Sequence, residues 1–480
     1  MHATNTRIPK YVTIKNTLIK KIENGSYLPG DAIPSDNELM RTLGVSKSTI
    51  TQALKNLESE GYIVRQQGKG SFVTDRSKSQ LVLSLYLCPM EQGEEQFWTS
   101  LIDEFNNANQ GFSVKATFLS NEKVPLRDSL LQSFVSGNAP DILSLDGPDV
   151  AYWAYMNSLL PFDDYLDPSF LNSFMEPILL QGSYNGRLYH LGYTESTLCI
   201  LYNKELFNSL NIRIPANINE AWSWEEFLSI CRLIKEKTPL PYPLLMDSGR
   251  GLSPKSGEWN SYSGLPFILQ NNGSLFNDDL TKTAGYINSP QSVAAMKWLG
   301  DLFHKYHYTH IEDISDCFPG DFAMSLSLPS AYFQSLKNGE NVGIIPLPKG
   351  LQSATPHGSW GLCMSRQTKH PKECCQFIRY VFTIQNQLKI SKYTGIPVLK
   401  EIYEVMDSFN TVSNNTNILF SQLHHSSFTR PQTPAYPFFS KQFAYAYYNI
   451  AAGTDVQTEM DHLAELVDDH LYRHNYYKMK

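Results

Sequence analysis

Apolar positions change their period along the chain, and each change marks a new element. Tyr11, Ile14, Leu18 and Ile22 share one face of a helix that stops near Gly25. Pro29-Gly30 sets a tight turn, Ser35 caps the next helix, and Glu38, three residues on, closes a capping box with it. Leu43-Gly44-Val45-Ser46 is a short turn with Ser46 as the following N-cap, and Ile50, Ala53, Leu54 and Leu57 carry a third helix towards Gly61. Residues 62–65 and 71–74 then read as two strands around the basic loop 66–70. Two short helices joined by a glycine turn, followed by a hairpin, predict a helix-turn-helix head over 7–75.

Beyond the polar stretch 76–80 the pattern is different. Residues 81–87 form a continuous apolar run that predicts a buried strand, and 98–107 a helix with Leu101, Ile102 and Phe105 inward. Residues 112–118 alternate as a strand, 126–136 follow as a helix and 141–145 as a third strand. Strands alternating with helices predict a largely parallel α/β sheet. At the far end 456–472 reads as an amphipathic helix with Met460, Leu463, Leu466 and Val467 inward.

The head resembles the winged-helix DNA-binding domain of the GntR family of bacterial regulators. The likeness lies in a Tyr-bearing first helix, the Pro-Gly turn, Ile33-Pro34-Ser35 with Glu38, Val45-Ser46-Lys47 with Thr49, and Gly68-Lys69-Gly70-Ser71-Phe72-Val73 in sequence. The body is similar to the extracellular solute-binding proteins of ABC importers, most of all the branch that binds sugars. That likeness rests on Ser136-Gly137-Asn138-Ala139-Pro140-Asp141-Ile142, Leu159-Leu160-Pro161-Phe162-Asp163, Tyr184-Asn185-Gly186-Arg187-Leu188-Tyr189 and Leu201-Tyr202-Asn203-Lys204-Glu205-Leu206-Phe207. It continues in Trp222-Ser223-Trp224-Glu225-Glu226-Phe227, Phe318-Pro319-Gly320-Asp321-Phe322-Ala323-Met324, Ile345-Pro346-Leu347-Pro348 and Gly395-Ile396-Pro397-Val398.

Together the resemblances imply an N-terminal winged helix-turn-helix (α+β) followed by a two-lobed α/β, periplasmic-binding-protein-like (type II) domain. The implied division is a head over 1–76, a linker at 77–80 and a ligand-sensing body over 81–480. Its first lobe is about 81–190 with 312–357, and its second about 191–311 with 358–480; the lobes close on a ligand through a hinge.

Charge sharpens this division. Residues 7–76 hold eleven Lys and Arg against seven Asp and Glu, a net of +4, while the whole chain carries −7, leaving −11 on the rest. A basic head on an acidic body suits a head that alone meets phosphates. No apolar run is long enough to cross a membrane and the N-terminal residues lack an apolar leader core, so the expectation is a cytoplasmic protein without membrane attachment. The seven cysteines lie mostly in apolar runs without metal-ligand spacing, which reads as reduced core thiols, Cys374-Cys375 included.

In the head the resemblance puts the third helix in the major groove. Lys47, Ser48, Thr51 and Gln52 are the expected readers of base edges, and Ser46 and Thr49 the caps or phosphate contacts. Ser35, Asn37, Arg41 and Lys55 complete the expected DNA-facing set. Lys69 between Gly68 and Gly70 is expected at the minor groove. GntR relatives often carry Arg where this chain has Asn37, Lys47 and Thr51, so a different or softer operator is expected.

Sugar recognition calls for aromatic faces with carboxylates and amides around them. Aromatics make up 12% of the chain, and the fold analogy places the candidates: Glu94, Glu95 and Trp98 after the first strand, Asp146 and Gly147 after the third, and Tyr193, Thr194 and Glu195 at the hinge. Trp259, in the polar stretch 249–263, and Ser359-Trp360 between Gly358 and Gly361 are added from the second lobe. Flanking glycines would let a ligand approach the backbone beside Trp360; core packing is the alternative for both tryptophans. Trp153, Trp222, Trp224 and Trp298 are expected in the core. Asp163-Asp164 and Asp468-Asp469 are expected to be solvated, and His424-His425 to lie in a Ser-rich loop.

No catalytic constellation, phosphate loop or Gly-x-Ser-x-Gly elbow occurs, so neither an enzyme nor a cofactor or metal is expected. The reading is a homodimeric regulator that binds a double-stranded DNA operator and responds to a small-molecule effector, a sugar or oligosaccharide by the resemblance. Two alternatives stay open: a sensor of a peptide, amino acid or anion, and a constitutive DNA-binding protein whose body no longer binds solute.

Overall fold

The computed structural model describes residues 9–59, 61–66, 69–74, 81–90, 93–109, 111–119, 126–246, 252, 257–311, 322–394, 396–402 and 414–476. Gly68, Cys317, the linker 77–80, Gly395, part of 249–263 and the start of the motif at 318 lie outside them. The chain divides into two compact units, one of Met1–Pro89, Trp98–Ile142 and Gln367–Cys374, the other of Met90–Phe97, Leu143–Arg366 and Cys375–Lys480.

In the first unit, α1 (Lys10–Glu23), α2 (Asp36–Leu43) and α3 (Lys47–Ser59) precede the antiparallel hairpin β1 (Ile63–Gln66) and β2 (Gly70–Val73). The capping box forms as its residues require: Ser35 Oγ accepts from Glu38 N at 3.3 Å, and Glu38 Oε2 accepts from Ser35 N at 2.8 Å. Gly44, in the left-handed region at φ 62°, ends α2 and frees the chain to turn into α3. Ile14, Leu18, Leu39, Ile50, Leu54, Leu57, Ile63 and Val73 form one core. Tyr11 and Ile22 pack against it partly buried. The same unit holds the parallel pair β3 (Leu81–Leu87) and β4 (Phe112–Phe118), in register from Leu81↔Phe112 to Leu87↔Phe118. A helix at Leu126–Val135 leads into a turn whose Asp141 Oδ2 accepts from both the amide and the hydroxyl of Ser84 at 2.8 Å.

Two larger sheets supply strands to the second unit. In one, Trp360–Ser365 lies between Ile142–Asp146 and Leu159–Leu160 and also pairs antiparallel with His190–Gly192. In the other the order is Tyr242–Leu245, Phe322–Ser327, Cys199–Asn203, Val342–Ile345. Here Cys199–Asn203 runs antiparallel to both neighbours, so the sheets are mixed rather than largely parallel. The reason is visible in three short strands that connect the sheets: Ser196–Thr197, Thr355–Gly358 and Ser427–Phe428 lie side by side. Chains crossing in opposite senses enter each sheet from opposite ends. This also revises the expected lobes. Residues 322–345 belong with 199–245, and 360–365 with 142–160, because hydrogen-bonded pairing exchanges the segments that 312–357 and 358–480 were expected to hold together.

The aromatic tail forms two helices, Tyr436–Ala451 and Val456–His474, packed on the apolar core of the second sheet. Val467 is fully buried with Met460 and Leu463. Trp153 and Trp222 are buried, whereas Trp224 and Trp298 are half-buried and stack on each other at 4.4 Å. Two expectations fail for local reasons. Asp468 is not merely solvated, since it accepts from the amide and hydroxyl of Thr283 at 2.6 and 2.7 Å and ties the last helix down. His424-His425 ends the helix Asn414–His425 instead of lying in a loop, and burial with the neighbouring His425 disfavours the charged form of His424. All six described cysteines are buried thiols, and burial pushes the Cys363 thiol well up and the Cys375 thiol up to about 11.

Removing the cap should be felt locally. Ser35→Ala is expected to lower stability by about 1 kcal/mol, and Glu38→Ala should cost less in that background than in the parent. Chemical denaturation of the four chains checks this; additive losses would refute the reciprocal box.

Candidate functional sites: a DNA-facing helix and a buried polar cluster

The head presents an exposed polar face. Lys47, Ser48, Thr51, Gln52 and Lys55 all emerge on the solvent side of α3, while Ile50, Ala53, Leu54 and Leu57 fill the core behind it. Ser46 Oγ accepts from Thr49 N at 3.4 Å and meets the Ser48 and Thr49 hydroxyls at 3.0 and 2.8 Å. Its capping role therefore stands, and Thr49 is half-buried. Asn37 and Arg41 are exposed on α2, as is Ser35 ahead of it. At the hairpin, Lys69 and Gly70 are exposed, and Lys69 N donates to Gln66 O at 3.0 Å. Arg65 is not available in the same way, because its Nη2 pairs with Asp36 Oδ2 at 3.0 Å and so fastens the hairpin to α2.

The second unit gathers a dense polar group where the crossing strands meet. Arg430, two residues past Ser427–Phe428, has a side chain only 2% exposed. Its Nη2 and Nη1 reach Asp146 at 3.0 and 3.3 Å, and Nη1 also donates to Glu258 Oε1 at 2.6 Å. Its guanidinium carbon lies 5.0 Å from the Tyr262 ring centroid. Glu258, at the start of the helix Glu258–Gln270, further accepts from Tyr436 OH at 2.7 Å and Ser440 Oγ at 2.6 Å. Burial pushes the Asp146 carboxyl up, against the pull of Arg430.

Glu195 sits immediately before the strand Ser196–Thr197. Its Oε1 accepts from Ser196 N and Gly358 N, each at 2.8 Å, while Oε2 lies 3.9 Å from His357 Nδ1. Burial raises the Glu195 carboxyl to about 7 and lowers His357 to about 3. His357 Nε2 meets Thr429 Oγ1 at 2.9 Å. If that nitrogen carries the proton, His357 Nδ1 is an acceptor and a protonated Glu195 suits it. His190 is likewise buried and held down to about 4, with Nε2 3.2 Å from Leu145 O. Among the described residues several buried atoms of this group have no hydrogen-bond partner: Glu195 Oε2, His357 Nδ1, Arg430 Nε, Ser359 Oγ and both amide atoms of Gln181. Buried polar groups are normally satisfied, so a cluster of exceptions marks a place where polar recognition can occur.

Glycines make the packing possible. A Cβ on Gly358 would lie 2.3 Å from Arg430 Nη2, on Gly361 2.3 Å from His190 Nε2, on Gly147 2.3 Å from Gln181 Cγ and on Gly192 2.6 Å from Ser359 Oγ. The glycines flanking Trp360 thus accommodate the protein's own side chains. Trp360 is half-buried and its carbonyl accepts from Tyr193 N at 2.9 Å. Trp259 is half-buried with its ring near that of Tyr262 at 6.1 Å.

The expected ligand residues therefore separate. Asp146, Gly147, Glu195 and Ser359 join one cluster, with Tyr193 buried beside it and its hydroxyl 3.4 Å from Glu94 Oε1. Trp98 is 1% exposed and packs inside. Glu94 and Glu95 lie in the first turn of the helix Glu94–Ala108, where a carboxylate complements the helix dipole; Glu95 is exposed. Arg430, Glu258, His357, His190 and Gln181 were absent from the sequence expectation. One signal existed: Arg430 is the only Asp, Glu, Lys or Arg between Asp407 and Lys441. No His, Cys, Asp and Glu grouping among the described residues could hold a metal.

A winged helix-turn-helix and a periplasmic-binding-protein-like fold on one chain define a protein with a DNA-binding-type head and a solute-binding-protein-like body. The family model of bacterial regulatory proteins of the gntR family matches residues 10–73, and that of bacterial extracellular solute-binding proteins matches 100–417. The chain belongs to the bacterial extracellular solute-binding protein family and carries a GntR-type DNA-binding domain at its N-terminus. Both families are non-enzymatic.

Among curated relatives, the histidine utilization repressor of Pseudomonas putida is 43% identical over 67 residues, 14% of this chain and 27% of that protein. A probable fructoselysine utilization operon transcriptional repressor of Shigella flexneri is 30% identical over 129 residues, 27% of this chain and 47% of that one. The chain thus spans only about a quarter to a half of these relatives' lengths. Among solved structures, a Thermotoga lettingae ABC transporter solute binding protein bound with α-D-tagatose aligns over 82% of this chain and 100% of its own, at 19% identity and a TM-score of 0.69. The maltose-bound MalE3 of T. maritima covers 81% and 100%, at 17% and 0.68. These likenesses establish the fold. No helix among the described residues is long and apolar enough to cross a membrane.

Glu195 and the buried histidines oppose each other in acid. Between about 4.5 and about 7 the folded protein holds the Glu195 proton more tightly than the unfolded chain, so acidification stabilises through Glu195. Below 6.5 the unfolded chain protonates His190 and His357 while the folded one does not, so acidification destabilises through them. Glu195→Gln should therefore steepen the fall in melting temperature from pH 7 to 5. A pH series of thermal unfolding measures it; parallel curves would contradict the assignment.

Proposed function

We propose that this protein is a ligand-responsive, homodimeric transcriptional regulator that acts in the cytoplasm, with a head over residues 1–76, a linker at 77–80 and a sensor over 81–480. The observation that carries the reading is the union of an exposed polar recognition helix with a solute-binding fold whose crossing strands converge on a polar cluster. The effector is a sugar or oligosaccharide. Carboxylates, a guanidinium and an amide near two half-buried indoles supply the hydroxyl partners and ring faces such a ligand needs, and the structural neighbours named above were solved with sugars bound. Effector binding between the lobes changes the placement of two heads on a near-palindromic operator. A coupling of about 1 to 3 kcal/mol would alter occupancy about 5- to 150-fold.

Selection from a random duplex library should recover an operator. Lys47→Ala and Lys69→Ala should each weaken binding to it, the second with a smaller salt slope and little change in sequence preference. A parent chain that enriches no duplex would refute the DNA-binding reading.

A thermal-shift screen of mono- and oligosaccharides tests the sensor. A true effector at a hundred times its Kd stabilises by about 2.7 kcal/mol, and Trp360→Ala should abolish that gain while operator binding persists. Stabilisation by an amino acid or peptide alone would overturn the sugar assignment.

A further inference from the structure

The helix α1 buries two faces. Ile14 and Leu18 enter the head's own core, but Val12 and Lys15, on a separate stripe, are 7% and 5% exposed. A lysine is seldom buried without a partner. Part of what covers this stripe is the turn after the helix Leu126–Val135. Asn138 Oδ1 accepts from Lys15 Nζ at 3.5 Å, and a Cβ on Gly137 would lie 3.7 Å from Val12 Cγ1. The same Asn138 oxygen accepts from Asn56 Nδ2 at 3.4 Å, and Asn56, on α3, is 8% exposed. Asn56 Oδ1 in turn accepts from Gln52 Nε2 at 2.9 Å. Asn138 Nδ2 donates to Ser136 Oγ at 3.3 Å, which fixes which way its amide points.

A chain of side chains therefore runs from the solvent-facing Gln52, through a buried asparagine, to a turn that belongs to the solute-binding portion of the sequence. We propose that the turn 136–138 is the docking surface by which the sensor grips its own DNA-binding head, and that Asn138 is the positioning residue that sets how Gln52 faces a base pair. With both Asn138 contacts made, Asn56 gives one N–H to the sensor and its amide oxygen to Gln52, so the Gln52 amide nitrogen is held inward and its oxygen outward. An outward amide oxygen is an acceptor for the exocyclic amino groups of adenine or cytosine. Released from the turn, Asn56 loses one of the contacts that orient it, and Gln52 can offer either end of its amide. Sequence preference at one position of the operator then becomes a property of head and sensor together.

The role of Gln52 rests on the DNA-binding reading above; the docking does not. The test uses the full chain and two readouts. Amide hydrogen exchange over 47–59 reports docking without DNA, and selection from a random-sequence duplex library reports specificity. Asn138→Ala should raise exchange in α3 about tenfold and broaden the selected consensus at one base pair, with the salt slope unchanged. Asn56→Asp keeps the acceptor for Gln52 but loses the donor to Asn138, and should show the same loss of protection. Asn138→Asp keeps the acceptor for Lys15 and Asn56 and should stay within about twofold of the parent in exchange. If Asn138→Ala does not fold, Asn56→Asp carries both readouts. Unchanged exchange in Asn138→Ala and Asn56→Asp would overturn the docking. Changed exchange with an unchanged consensus would overturn the role given to Gln52. A parent that selects no duplex would refute the function while leaving the exchange result decisive for the contact.

Discussion

A guanidinium taken out of water must meet negative charge at hydrogen-bonding distance, or it costs several kcal/mol. Arg430 meets that demand from two directions, with Asp146 at the end of a strand in one sheet and Glu258 at the start of a helix beside the other. Much of the surrounding arrangement follows from this. Gly358 must lack a side chain so that the guanidinium can pass, Tyr262 offers its ring beneath it, and Tyr436 and Ser440 complete the carboxylate that holds it. Burial raises the Glu195 carboxyl to about 7, while the Ser196 and Gly358 amides and Arg430 pull it down and Asp146 adds a smaller push upward. Burial and ion pairing thus decide which groups are charged here.

The head obeys a simpler constraint. Its core is small, so its helices depend on local devices: the reciprocal Ser35 and Glu38 cap, the left-handed Gly44, and the Arg65 to Asp36 pair that fastens the hairpin. These leave the outer face of α3 exposed at Lys47 and Thr51, while the Ser48 hydroxyl meets the Ser46 cap. The Gln52 amide is likewise committed, to Asn56.

Local features were legible in the sequence because they are written over a few residues. The capping box, the hairpin at 63–73 and the last helix stand within a residue or two of where periodicity put them. What short-range pattern could not reveal was which distant strands pair. Residues 322–327 and 360–365 exchange sheets relative to expectation because three crossing strands reverse the chain direction, and no window of ten residues carries that information. The site divided in the same way. Asp146, Glu195 and Ser359 were accessible from strand-end position, but Arg430 lies 284 residues from its partner Asp146, and only its isolation in an otherwise uncharged stretch hinted that it would need one. Trp98 and the glycines around Trp360 show one limit of such reading: a residue type suited to a ligand is equally suited to the protein's own side chains.

The cysteines have a practical side. Each of the six described thiols is enclosed, and burial disfavours the thiolate at Cys199, Cys231 and Cys363. Since thiolates are what maleimides and spin labels attack, reagents will find these sites slow. Cysteines introduced at exposed positions on each side of the crossing strands would then be modified selectively, once Cys317 is replaced. With that one replacement the chain is prepared for distance measurements by fluorescence or electron resonance across the crossing strands.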